Sequence, residues 1–589
     1  MLYPDNTATR LRVSLDGVWE FALIPLNTEY DAGNRLTNGR PMPVPSSYND
    51  IYEGREIRDH VGDVVYERFF DAPDMLRTGR LMLHFGSVTH AAKVWLNGEY
   101  LGSHKGGFLP FEFDVTEKVK TVGNRLTVVA NNIVDYTTLP CGTVQSRTYP
   151  GMEKIQFDIP NFDFFNYSGI MRPVMLYALP KTHIDTIYVG GKCDGSFAYE
   201  ITANNAASAC VRVLDEKNQV LWQGEGLTGS GKVENITCWC PETPALYRLE
   251  VKLSGEDGSY DIYEETFGFR EVEAKNCKLY LNGKPIYLKG FGKHEDSPVN
   301  GRGFNEAFNV KDLSLIKWIG CNSFRTSHYP YSEEMMRLCD RMGILVINEP
   351  PAVGMETTFT ANSMPVDVVV PTWQALKTKE HHENVLRDLI ARDQNHPCVI
   401  MWSVTNEPAS EEPGAYNYFA PLFELVRKLD RQHRPVTFAA RNPAKAHNCE
   451  VAPLSDVIML NRYHGWYYEE GNLRAAAAIL SADLDKFHDK YPEKPVMLSE
   501  FGADAVAGMH DTTALMFSEE YQRDMLEAYC AVLDSKDYAC GEHVWNFADF
   551  ATAESVKRVQ GNKKGVFTRE RKPKLGAWYL KERWNHMDG

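Results

Sequence analysis

Residues 399–408 read VIMWSVTNEP. The run is apolar at nearly every step, the pattern of a strand buried on both faces, and it then ends in an amide, a carboxylate and a proline. Proline cannot donate to a sheet ladder, so the strand stops and the Glu407 carboxylate is left where sheet gives way to loop. Such a junction is a place for chemistry.

Working outward, the same rhythm recurs after Cys277. Strand-like KPIYLKGF, CNSFRTSHYP, ILVINEPP, PVTFAAR, VIMLNRYHGW, PVMLSEFG and GEHVWNFADF alternate with helical stretches such as NVKDLSLIKWIG, SEEMMRLCDRMG and FAPLFELVRKLD. With VIMWSVTNEP this makes eight strands in about 300 residues, which predicts a (β/α)8 TIM barrel over 274–589. Polar groups crowd only these strand ends: Lys293, His294, Glu295, Asp296, His328, Glu349, Asn406, Glu407, Tyr463, Glu500 and Trp545. A barrel gathers such groups at one mouth.

Upstream the pattern is short alternating segments broken by turns, as in DGVWEFALIP, GRLMLHFGSV and AAKVWLNGEYLG, where Asn97-Gly98 is a hairpin signal. We read residues 1–180 as a jelly-roll-like β-sandwich. Residues 181–273, with THIDTIYVG, YRLEVKL and IYEETFGF, have the length of an immunoglobulin-like β-sandwich. The chain is therefore expected to be multidomain, two sandwiches followed by a barrel.

Bulk properties narrow the partners. The 589 residues carry a net charge of −16, so the average surface repels nucleic acid and acidic membranes, and neither is an expected partner. The start, MLYPDNTATR, has no basic segment leading into an apolar one, which points to a cytoplasmic, soluble protein. The 12 cysteines are scattered singly apart from Cys238 and Cys240, and reduced thiols are expected. GLTGSGKV at 226–233 nearly spells a phosphate loop, but Val233 replaces the hydroxyl that would hold magnesium, and a hairpin turn fits better. EHHEN at 380–384 places two histidines side by side, which cannot face one metal on a helix, and reads as a solvated helix surface.

Glu407 after the fourth strand and Glu500 at the end of the seventh place two carboxylates at one mouth. A glycosidic bond needs a proton donor on its leaving oxygen and a negative group facing the oxocarbenium-like centre. Either glutamate alone reads as a structural ion-pair partner; the two together, in a barrel, favour catalysis.

At this point the chain resembles the glycoside hydrolase family 2 β-glucuronidases, over nearly its whole length. The resemblance is carried by VWLNGEYLGSHKGGFLPFEFDVT, FFNYSGI, FRTSHYPY, WSVTNEP, LNRYHGWY, SEFGAD, and VWNFADF with RVQGNKKGVFTRERKPK. It implies a retaining mechanism with no cofactor and no metal, Glu407 as acid/base and Glu500 as nucleophile. Glu407 is expected to keep its proton because Glu500 beside it is negative. The resemblance further implies that Tyr463 hydrogen-bonds the nucleophile, that Asn406 reads the sugar 2-hydroxyl, and that Asp163 accepts from a sugar hydroxyl. His328 and Trp545 are expected to bind the sugar, and Glu349 stays outside the catalytic set.

The sugar itself is read from Asn562-Lys563-Lys564. Residues two apart in an extended stretch point the same way, so Asn562 and Lys564 can reach one side of a ligand, where an ammonium and an amide suit a C6 carboxylate. The family uses N-x-K so, with Arg558 and Tyr467 as expected supporting contacts. Small-molecule glucuronide conjugates are the expected substrates, and a homo-oligomer, a tetramer by resemblance, the expected assembly. Galactosides, mannosides and galacturonides remain alternatives on the same fold, as does a non-catalytic carbohydrate-binding protein. The long loop 354–377 is expected to favour small aglycones over polysaccharides.

Overall fold

The computed structural model describes residues 1–25, 28–77, 79–151, 154–357 and 370–587. Half of the loop expected to select aglycones, 358–369, lies outside the described residues.

The first domain packs a six-stranded antiparallel sheet on a four-stranded one. Alternation explains the arrangement: in Gly17–Leu23, Trp19 and Phe21 point inward to meet Tyr66, Val94, Leu83 and Leu176 in one core. Asn97 takes a φ of 56° at the hairpin predicted there. The second domain has sheets of three and four strands around Val189, Val211, Leu249 and Phe267. Thr228–Lys232 is an edge strand paired with Ser196–Asn204, so the near-phosphate-loop is sheet rather than a hairpin turn. Cys193 and Cys238 form a disulfide with Cα atoms 5.6 Å apart, against the expectation of thiols throughout; a sequence separation of 45 gave no pairing signal. The other cysteines are free.

The barrel closes with eight parallel strands: β1 Leu288–Lys293, β2 Ser323–Thr326, β3 Leu345–Asn348, β4 Val399–Asn406, β5 Val436–Ala440, β6 Ile458–Asn461, β7 Val496–Glu500 and β8 Ala539–Val544. Every residue of β4 is buried, as its largely apolar run suggests. Outside them lie α1 Glu306–Trp318, α2 Glu333–Met342, α3 Lys379–Asp393, α4 Ala415–Leu429, α5 Leu473–Lys490, α6 Glu519–Asp534 and α7 Leu575–His586. Helix α2 shows why these segments are helical: Ser332 caps Met335 N–H at 3.2 Å, Glu333 and Glu334 fill the first turn, and Gly343 ends it at a φ of 65°. Losing the Ser332 cap would cost about 1 kcal/mol.

The (β/α)8 pattern is incomplete at one crossover. Between β5 and β6 only the short turn Ala452–Leu454 is helical among the described residues, and Pro443 and Pro453 interrupt any longer run. The EHHEN segment in α3 is not a solvated face either: His382 is fully buried and bonds Val404 O at 3.0 Å, so helix α3 is pinned to β4.

Two seams position the mouth. The immunoglobulin-like domain sits beneath the barrel, where Asn395 bonds Val189 N and Ile187 O at 3.0 and 2.8 Å. The first sandwich reaches the opposite end: Phe165 N donates to Ala551 O at 2.8 Å, and Phe164 bridges Thr552. Asp163 is thereby delivered to the barrel mouth. Among the described residues no helix is long and apolar enough to cross a membrane.

Candidate active site

The chain leaves β4 by an unusual turn. Glu407 has a φ of 48°, in the left-handed region, although it precedes a proline. A residue before proline ordinarily stays extended, and a left-handed non-glycine residue costs on the order of 1–2 kcal/mol. The turn is held by Glu407 N–H donating to Ala439 O of β5 at 2.9 Å. The Glu407 carboxyl therefore faces a cavity of about 640 Å³ at the C-terminal ends of the strands. A wider groove, about 1040 Å³, runs between the two sandwiches, where Arg80 pairs with Asp114 at 2.6 Å.

Ten of the residues singled out above line the smaller cavity together: Glu407, Glu500, Asp163, His328, Asn406, Tyr463, Tyr467, Trp545, Arg558 and Asn562. Lys564 stands just behind its wall, with Nζ donating to Tyr467 Oη at 2.9 Å.

At one end Glu500 accepts from Arg325 Nη2 at 2.5 Å and from Tyr463 Oη at 2.7 Å. Among the described residues Glu407 accepts only from Asn461 Nδ2, at 3.0 Å. Burial raises both carboxyls, and Glu500, pushed further by the charge of Glu407 against the pull of Arg325, to about 8. The pair thus holds one proton near neutral pH. Two strong donors stabilise the carboxylate on Glu500, so the proton belongs on Glu407. Burial is the first cause and Asp163 adds repulsion, while the repulsion expected between the two glutamates is present in the pair as well.

Arg325 is fully buried and also holds Glu349 at 2.8 Å, and Glu349 in turn bonds His328 Nδ1 at 3.0 Å and Ser403 Oγ at 2.6 Å. Glu349 lies beneath the cavity, as a countercharge. Asn406 Oδ1 is occupied by Arg325 Nη1 and Asn461 Nδ2 at 3.2 and 3.3 Å, so the amide offers its N–H groups to a ligand. Burial lowers His328 to about 4, and the neutral ring stacks on Trp545 at 4.9 Å.

At the other end cations gather. Arg558 grips Asp163 with two bonds of 2.9 Å and donates to Tyr467 Oη at 2.9 Å. Asn562 Nδ2 also bonds Asp163, at 2.8 Å, while its Oδ1 accepts the Lys564 N–H at 2.9 Å. Arg558 keeps Asp163 below the usual carboxylate range despite burial. The Lys564 ammonium meets Asp504 and lies over the rings of Tyr467, Trp466 and Tyr463 at 4.6, 5.1 and 5.8 Å.

Residues 12–180, 183–270 and 272–588 match in turn the family models for the glycosyl hydrolases family 2 sugar binding domain, for glycosyl hydrolases family 2, and for its TIM barrel domain. The chain belongs to glycosyl hydrolase family 2. It is 43% identical to a β-glucuronidase of Streptococcus agalactiae over 99% of this chain and 98% of that one. The structure of Faecalibacterium prausnitzii β-glucuronidase superposes with a TM-score of 0.93 at 41% identity, covering 100% of this chain and 99% of that one. A Ruminococcus gnavus β-glucuronidase in complex with D-glucuronic acid gives 0.92 at 38% identity, with 99% of each chain covered.

This family 2 site also uses residues to which the sequence reading gave no role. Arg325 and Asn461 hold the two glutamates, Asp504 holds Lys564, and His294 lines the cavity. One signal was present: an arginine inside SFRT, in a strand otherwise bound for a barrel core, demands buried counterions. As for metals, Asp340, His396 and Cys398 bring ligand atoms within 4.8 Å of one another. That trio sits by the start of β4, opposite the cavity, and is internally bonded, with Cys398 N–H on Asp340 Oδ1 at 3.0 Å.

Proposed function

We propose that this chain hydrolyses β-D-glucuronide conjugates to glucuronic acid and aglycone with retention, through a covalent glycosyl-enzyme intermediate. Glu407 protonates the leaving oxygen while the Glu500 carboxylate attacks the anomeric carbon; Glu407 then removes a proton from the water that releases the sugar. Tyr463 and Arg325 keep Glu500 ionised and aimed. The Asn406 amide donates toward the sugar 2-hydroxyl, and Asp163, His328 and Trp545 bind the ring. Arg558, Asn562, Tyr467 and Lys564 take the C6 carboxylate.

The observation that carries this reading is the placement of Lys564: its ammonium bonds Tyr467, which lines the same cavity as Glu407 and Glu500. A chain with a net charge of −16 that places a buried ammonium and a half-buried guanidinium at one end of a sugar-sized cleft is built to receive an acid. The glucuronidase relatives support the same sugar. The finer expectations belong to this proposal too: a cytoplasmic homo-oligomer, a tetramer by resemblance, which light scattering on the purified protein tests.

The deciding experiment is a side-by-side assay of 4-nitrophenyl β-D-glucuronide, galacturonide, galactoside, mannoside and glucoside, with the first-formed anomer followed by proton NMR. Preference for the glucuronide and a β-configured first product are expected. Preference for a neutral sugar, or an α-configured first product, would overturn the reading.

A further inference from the structure

The motif SEFGAD ends in a residue that the reaction as written does not use. Asp504 is 1% exposed. Its Oδ1 accepts the Lys563 N–H at 2.7 Å, its Oδ2 accepts the Lys564 ammonium, and Arg558 Nη1 stands 3.8 Å from that same oxygen. A lysine ammonium has three N–H donors on a flexible stem. Here one goes to Tyr467 and one to Asp504, and among the described residues the third has no partner. Two fixed acceptors and three aromatic rings leave the ammonium no freedom to swing, so the direction of the third donor is fixed as well.

We propose that Asp504 is a positioning residue for uronate selectivity, anchoring Lys564 so that its remaining proton is aimed at the substrate carboxylate; the proposal rests on the glucuronidase reading above. A second negative group beside a carboxylate site would ordinarily repel the ligand. That cost is offset because Asp504 and Asp163 are matched by Lys564 and Arg558, which leaves this end without net charge before the substrate arrives. An asparagine at 504 would keep one acceptor but turn an N–H toward either Lys563 N–H or the ammonium, and Lys564 would lose its anchor.

The test is a cycle of D504N, K564A and D504N/K564A, with D504E as the conservative variant, assayed on nitrophenyl glucuronide and glucoside. In D504N the kcat/KM for glucuronide is expected to fall about 30-fold or more, carried by KM, and the glucuronide-to-glucoside ratio to fall with it. D504E should recover most of that ratio. On the K564A background D504N should change the ratio no further, because the effect travels through the lysine. Should D504N alone not fold, D504E and the charge-balanced double variant carry the same comparison. Unchanged or tighter glucuronide binding in D504N, equal loss on both substrates, or additivity in the double variant would each overturn the proposal. A wild type that does not turn over glucuronides would overturn the reading beneath it, and the role of Asp504 with it.

Discussion

The two ends of the cavity are built from the same residue types and do opposite things. At the catalytic end Glu500 holds the guanidinium of Arg325, which is already committed to Glu349, and among the described residues Glu407 has no ion-pair partner. Acid is in surplus there, so burial can raise the carboxyls and the pair keeps a proton to move. At the far end each cation has its own carboxylate, Arg558 with Asp163 and Lys564 with Asp504. Charge is balanced there, and the groups serve as a template. Buried charge thus becomes a proton store or a recognition surface according to its local balance.

The largest expected effect breaks the first end. Glu500→Ala should lower kcat on the order of 10⁶-fold, the scale of deleting a covalent nucleophile, while the fold persists; residual hydrolysis above that level, measured with nitrophenyl glucuronide, would remove Glu500 from its role. Lys564→Ala breaks the second end. Truncating one partner of a buried charge contact costs about 2–5 kcal/mol, so kcat/KM for glucuronide should drop about 30-fold or more, with little change for a neutral glucoside. Stability should fall as well: Asp504 is left buried without its lysine, at a cost of about 3–5 kcal/mol, which a chemical denaturation curve would detect.

The pH profile sharpens the contrast. Activity needs Glu500 ionised and Glu407 protonated, so kcat/KM should be bell-shaped, and because burial raises both carboxyls its limbs should lie above the ordinary glutamate range. Arg325 pulls Glu500 down; Arg325→Gln removes that pull, so Glu500 stays protonated to higher pH and the acid limb moves upward. An acid limb that stays in place or moves down would contradict this assignment. The smallest effect expected is from Tyr467→Phe, which removes one acceptor shared by Arg558 and Lys564 and should raise KM a few-fold, for about 0.5–1.5 kcal/mol, leaving kcat near wild type.

Much of this was legible because strand ends in a barrel are sequence-local: a proline after an apolar run fixes where Glu407 must lie, and the same logic places Glu500 and Tyr463. Partners brought from afar were not legible. Asp163 meets Arg558 across 395 positions and Arg325 meets Glu500 across 175, and no period or spacing encodes such meetings. Cys193 with Cys238, and the missing helix between β5 and β6, failed for related reasons, since pairing and omission depend on how neighbouring elements pack.

The segment Asp163–Phe165, stitched to Ala551 and Thr552, makes one wall of the sugar cleft the property of a separate folding unit. Saccharide affinity and the docking of that unit are consequently a single equilibrium. A saturating sugar acid should raise the melting temperature of the N-terminal sandwich along with that of the barrel, by linkage across the seam. An isolated barrel, however well it folded, would be a glycosidase open along one flank.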